Sequence, residues 1–254
     1  MDLAGFDLAA LLPFIAVGFA AQLVDGALGM AFGIISNTAL VAVLGVPPAI
    51  ASQRIHVVEC FTTAMSGLSH LYHRNIDKRL FLRLLVPGMA GGVAGAYLLT
   101  SLDAGVVKPF VLLYLAGIGI YLLVRGLLYP PQVREARHIA PLGLVGGFLD
   151  AAGGGGWGPV VTSNLLIQGA DPRKVVGTVN AVEFFLTLTV SAAFIWRLGF
   201  ADLAGATLGI LIGGVLAAPI GAWGARHLPA KLMLIMVGVV LTLTSVYGVY
   251  RAWG

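Results

Sequence analysis

Two glutamates, Glu59 and Glu183, sit deep inside long apolar stretches of a 254-residue chain that is 59% hydrophobic and only 10% charged. A charged group at such depth costs about 2.5 to 3.5 kcal/mol on insertion scales, so an acid there points to function. At about 100° per residue, His56, Glu59 and Thr63 share one helix face, and Asn180, Glu183 and Thr187 share another. Two chemistries suit this arrangement. In one, each carboxyl is neutral and hydrogen-bonds a neighbouring helix or ties down the backbone of a broken segment, which offsets the cost of an unpaired buried charge. In the other, at least one is a proton-coupling or gating carboxylate. The two roles are compatible.

Glycine-rich elbows form the second constellation. A half-helix that starts after Gly153, Gly154, Gly155 and Gly156 exposes free backbone N–H groups and the positive end of its dipole, where an oxyanion can bind without a full buried cation. Asn37 and Asn164, with Ser36, Thr162 and Ser163, add side-chain donors near the elbows, and Asn180 adds one from the polar face of Glu183. The oxyanion is therefore expected between the two elbows. His56 could bind the anion, titrate, or donate to Glu59 one turn away. Asp25 and Asp150 lie in the bends and could cap the following half-helix or relay protons. Trp157 either packs against its bend or lines the substrate. Arg54 lies near the outer end of its helix on another face, where snorkelling to the interface is expected. The glycines at 91, 92, 95, 213 and 214 read as close helix packing.

The elements that must position these residues are apolar runs over about 3–24, 27–46, 48–69, 80–100, 106–128, 139–149, 157–168, 175–196, 203–225 and 232–250. A membrane-crossing helix needs about 20 mostly apolar residues. The runs 139–149 and 157–168 are about half that length, so a re-entrant hairpin or a pair of broken helices is expected there. Little chain is left for a soluble domain, and a single cysteine, Cys60, excludes a disulfide within the chain. The start carries Asp2 and Asp7 and no basic segment, unlike a cleaved signal.

The two halves also repeat, with a period of roughly 125 residues. Gly18-Phe19 answers Gly147-Phe148, Gly29 to Asn37 answers Gly156 to Asn164, His56-Val-Val-Glu59 answers Asn180-Ala-Val-Glu183, and Gly91-Gly92 answers Gly213-Gly214. Each repeat holds an odd number of crossings whether or not its short pair crosses. The second therefore enters the membrane from the opposite side, the inverted-topology plan of many secondary transporters. The expected fold is an all-α polytopic membrane protein of eight to ten membrane segments, with a first repeat over 1–128, a cytoplasmic linker over 129–138 and a second repeat over 139–254.

Basic residues give the orientation. Arg74, Lys78, Arg79, Arg125, Arg134, Arg137, Arg173, Lys174, Arg226 and Lys231 fall on one side, against Lys108, Arg197 and Arg251 on the other, so the first side is cytoplasmic and both termini face outward. The net charge of +4 thus reports orientation and not a nucleic-acid partner. An intramembrane enzyme finds no support: there is no HExxH pair, acidic metal cluster or Gly-x-Ser-x-Gly elbow. No cofactor and no metal are expected. A channel built on the same broken helices is the alternative to a carrier.

The stretch Gly147-Phe-Leu-Asp-Ala-Ala-Gly-Gly-Gly-Gly-Trp-Gly-Pro159, its echo Val24-Asp-Gly-Ala-Leu-Gly-Met30, Ser52-Gln-Arg-Ile-His-Val-Val-Glu59, Pro87-Gly-Met-Ala-Gly-Gly92 and Lys108-Pro109 resemble the signatures of the TauE/SafE family, nearly end to end. The resemblance implies a bacterial inner-membrane carrier for sulfite, sulfoacetate or another sulfonate, coupled to protons, whose partners are that anion, protons and the bilayer. It is also compatible with a homodimer. Asn37, His56, Gly154, Gly155, Gly156, Trp157, Asn164 and Asn180 are the expected substrate-binding residues, with Glu59 and Glu183 coupling protons. The first repeat reads Gly29-Met-Ala-Phe-Gly33 where the family pattern has a glycine cluster followed by proline, so its half-helix is expected to contribute less to the anion site.

Overall fold

The computed structural model describes residues 2–3, 6–28, 30–128, 137–162, 164–165, 168, 170, 172–200, 204–224 and 230–253. After a short antiparallel pairing of Asp2–Leu3 with Phe6–Asp7, the described chain is helical. The helices are α1 (Leu8–Leu28), α2 (Phe32–Thr38), α3 (Pro48–Tyr72), α4 (Lys78–Ser101), α5 (Ala104–Leu127), α6 (Ile139–Gly153), α7 (Pro172–Leu198), α8 (Ala204–Gly224) and α9 (Ala230–Trp253). A π-helical turn, Ala39–Val43, extends α2, and another, Trp157–Thr162, follows α6. Most of the linker predicted over 129–138 and the predicted donor Ser163 lie outside the described residues.

Local chemistry sets the boundaries. Asp77 caps α4 by accepting from the N–H groups of Arg79 (2.8 Å) and Leu80 (3.1 Å), and Asp103 does the same for α5 at Gly105 (2.8 Å) and Val106 (3.4 Å). The apolar run 27–46 is not one span. Helix α1 ends at Leu28 and α2 begins at Phe32, leaving the twelve-residue apolar helix Phe32–Val43. Lys78–Ser101, Ala104–Leu127 and Lys174–Leu198 are long and apolar enough to cross a membrane by length and composition. Helix α3 has comparable length at 25 residues, but Arg54, His56 and Glu59 make it less lipid-like. Phe110, Val215 and Leu243 are exposed on the outer surface, as lipid-facing side chains are.

Packing carries an internal two-fold. On α4, Gly91 meets the backbone of Leu144 and Phe148 on α6; on α8, Gly213 meets that of Ile15 and Phe19 on α1. These are the pairs that the sequence repeat equates. Contacts 84–143, 88–147 and 95–151 rise together, so α4 and α6 run parallel, and contacts 11–205, 15–213 and 22–214 say the same of α1 and α8. Helices equivalent under the repeat run antiparallel: Gly119 meets Thr242 and Leu123 meets Gly238 between α5 and α9, while Cys60 meets Ser191 and Gly67 meets Ala181 between α3 and α7. Antiparallel equivalents are what inverted repeats require. The glycines let backbones approach to where any Cβ would overlap, as small residues do in membranes.

Candidate functional site

Each repeat ends its first helix with an aspartate three residues before the last helical position: Asp25 in α1 and Asp150 in α6. Both are caps. The Asp25 Oδ1 accepts from the N–H of Phe32 (3.2 Å), and the Asp150 Oδ1 accepts from those of Gly156 (2.8 Å) and Trp157 (2.9 Å). The half-helix N-termini are therefore covered by the protein's own carboxylates, which satisfy donors that hydrocarbon leaves without water.

The elbows cross one another. A Cβ at Gly155 would run into the backbone of Gly33 and Ile34, and one at Gly154 into the Asn37 amide. Gly154 and Gly155 have φ of 70° and 134°, a region where glycine alone is unstrained. In the first elbow Ala31 adopts φ 127° without that freedom.

Beside the crossing is a cavity of about 420 Å³, whose wall includes Asp25, Glu59, Asp150 and Glu183. Thus each repeat supplies one aspartate from its elbow and one glutamate from its central helix. No lysine or arginine is among the described wall residues. The cavity follows one face of α3 through Glu59, Thr63, Ser66 and His70, and on α7 it runs from Glu183 through Asn180 to Val176. Gln22 joins the wall from α1, and its buried Oε1 has no hydrogen-bond partner among the described residues. The opposite halves of α3 and α7 are packed shut: Ser52, His56, Thr187, Val190 and Phe194 are all 0% exposed.

Of the predicted residues, Glu59, Glu183, Asn180, Gly155 and Gly156 are on the cavity wall. Gly154 is buried under Asn37. The Asn37 amide donates to the Gly153 carbonyl (2.6 Å), the Asn164 amide to Val160 (2.9 Å) and the Trp157 indole N–H to Val179 (3.2 Å), so these three hold the backbone together and do not line the cavity. His56 is behind the wall. Its Nε2 is 3.1 Å from the Asp150 Oδ2 and its Nδ1 is 2.7 Å from the Ser52 carbonyl oxygen, an ion pair with Asp150 when the ring carries both protons. The Ser52 hydroxyl donates to the Ala151 carbonyl (2.8 Å), adding a second tie between α3 and the elbow.

The sequence reading missed Gln22, Ser66 and His70 as wall residues. Ser66 and His70 could have been found by continuing the Glu59 face of α3 by seven and eleven residues. Gln22 lies one turn before Asp25 on α1. Chemically, the site can hold and exchange protons at its carboxyls and offer hydroxyl and amide donors to a small polar solute. Among the described residues, no group of three or more His, Cys, Asp or Glu side chains has the geometry to hold a metal ion.

Comparison with known proteins adds an independent line. The family described as "Sulfite exporter TauE/SafE" matches residues 14–248. The chain is similar to "Probable membrane transporter protein YtnM" of Bacillus subtilis (strain 168), at 40% identity over 252 residues, covering 96% of this chain and 84% of the relative. It is also similar to a "Probable membrane transporter protein" of Haemophilus influenzae, at 25% identity, covering 97% of both. No solved structure matches it.

Proposed function

Since this chain belongs to the sulfite exporter TauE/SafE family of membrane transporters, we propose that it carries a small sulfur-containing anion, such as sulfite or sulfoacetate, together with protons across the bacterial inner membrane. The family description supports the sulfur anion, and the observation that supports the protons is the cavity wall, with four carboxyls and no lysine or arginine among its described residues. An anion about 5 Å from an ionised carboxylate at an effective dielectric of about 20 is repelled by roughly 3 kcal/mol. Protons on Glu59 and Glu183 remove their share of that repulsion, and the backbone N–H groups and His56 that face Asp25 and Asp150 offset part of the rest. Proton and anion therefore favour each other's binding, and the coupling is reciprocal. Raising the pH strips the protons and weakens anion binding. Gln22, Ser66 and Asn180 offer polar groups to the oxygens of the ligand.

The chain is proposed to be multi-pass with both termini outside, on the distribution of its basic residues. The His70 end of the cavity lies nearest Arg74 and the start of α4 at Lys78, so on this orientation it is the cytoplasmic end. Catalysis has no part in the proposal.

Purified protein in liposomes tests it. Uptake of sulfite or sulfoacetate should saturate, show counterflow, and accelerate under an inwardly directed proton gradient. Flux that rises linearly with concentration and shows no counterflow would make the protein a channel.

A further inference from the structure

The two elbows share a cap but not a partner. Asp150 is bound twice over: one oxygen takes the N–H groups of Gly156 and Trp157, and the other faces His56 of α3 at 3.1 Å. Its counterpart Asp25 caps Phe32 with one oxygen and lines the cavity. The residue equivalent to His56 is Asn180 on α7, which also lines the cavity and turns its amide back to the Val176 carbonyl at 2.9 Å. Both aspartates touch the cavity, but one aspartate–helix pair is bonded, with its histidine fully buried, and in its image under the repeat the asparagine bonds elsewhere.

Burial follows the same division. On the closed side the His56 ring packs 5.9 Å from Phe194, and Val190 is fully buried. On the open side Ser66, which is equivalent to Val190 by the spacing that relates Glu59 to Glu183, lines the cavity. Because the repeats are inverted, exchanging their conformations turns this state into one open on the other side.

We infer that His56–Asp150 and Asn180–Asp25 are two gates of one carrier, closed in alternation: the first seals the outer side in this state, and the second seals the cytoplasmic side when the first opens. This rests on the transporter reading above. In the alternate state the Asn180 amide swings from Val176 to Asp25, while His56 leaves Asp150. The gates differ in strength. The first is backed by the Ser52 hydroxyl on the Ala151 carbonyl and by Phe194 against the His56 ring, and on the second side Ser66 lines the cavity where its equivalent Val190 is buried, so the state seen here is favoured.

The test places single cysteines in a Cys60→Ala background, at Ser66→Cys and, separately, at Val190→Cys, and labels them with a membrane-impermeant maleimide from either side of oriented vesicles. In the parent, Ser66→Cys reacts from the cytoplasmic side and Val190→Cys is protected. Asn180→His leaves the closed gate intact and strengthens the open one, so it should raise the minor, outward-open population and speed Val190→Cys labelling from outside by roughly tenfold, about 1.4 kcal/mol of population shift. Exchanging both partners, His56→Asn with Asn180→His, should reverse the pattern, protecting Ser66→Cys and exposing Val190→Cys from outside. If Asn180→His leaves Val190→Cys labelling from outside within twofold of the parent, the gates do not alternate and the inference falls. A folded exchange protein that keeps the parental pattern overturns it equally, and the single Asn180→His variant decides the matter should the exchange protein not fold. The labelling needs no substrate, so a wrong ligand and a wrong gate give different failures.

Discussion

The elbow after α1 and the elbow after α6 do one job with different materials. In both, an aspartate three residues from the helix end reaches the N–H seven residues on, Phe32 from Asp25 and Trp157 from Asp150. The second elbow spends four glycines on this turn, and the first passes through Ala31 at φ 127°. Both line the cavity, but the second is also nailed to α3 through His56 and Ser52, whereas Asn180, the equivalent of His56, turns its amide to Val176 within α7. A repeat that keeps the cap and varies its surroundings retains what the backbone demands of a broken membrane helix. The remainder is free to tie one elbow to its neighbouring helix and leave the other without that tie.

The sharpest way to break that comparison is to remove both caps in turn. Asp150→Ala leaves two buried N–H groups and the His56 ring without their acceptor, and should destabilise the protein by about 3 to 5 kcal/mol. Asp25→Ala removes a single cap bond beside a polar cavity and should cost about 1 to 2 kcal/mol. Equilibrium unfolding in mixed detergent micelles measures both. Equal losses would mean that the elbows are not differently anchored.

Backbone conformation gives a smaller effect with a change of sign. Gly155→Ala puts a Cβ into the Gly33 and Ile34 backbone at φ 134°, and should cost on the order of 3 kcal/mol. Ala31→Gly relieves the same strain at φ 127° and should stabilise by about 1 kcal/mol, net of the entropy that glycine loses on folding. The same unfolding assay reads this pair. If Ala31→Gly destabilised the protein, the first elbow would not be the strained one.

Much of this was legible in the residues because it follows from periodicity and cost. The matched glutamates and the capping option for both aspartates were read from the residues, and the antiparallel run of equivalent helices is what the inverted repeat requires. The backbone partners of Asn37, Asn164 and Trp157 were not legible. Each has the type of a ligand, but the crossing of the elbows turns Asn37 onto the Gly153 carbonyl, and α7 supplies the carbonyl that Trp157 needs. Such choices depend on which backbone oxygen a distant segment brings near, and that information lies between elements. The apolar run 27–46 hid its break for a related reason. Met30 and Ala31 are apolar enough to read as helix, and the turn is held by Asp25 from outside it.

Glu59 and Glu183 are the most direct test of the central claim, that protons held at paired carboxyls make room for the anion. Glutamine keeps the shape and hydrogen-bonding capacity of a neutral carboxyl but cannot lose a proton. Substrate accumulation in proteoliposomes driven only by a pH difference should therefore fail in Glu59→Gln or Glu183→Gln, or in both, while substrate binding persists and no longer weakens as the pH rises. If both variants still accumulated substrate against its gradient under that drive alone, neither carboxylate would couple protons, and the pair would be structural.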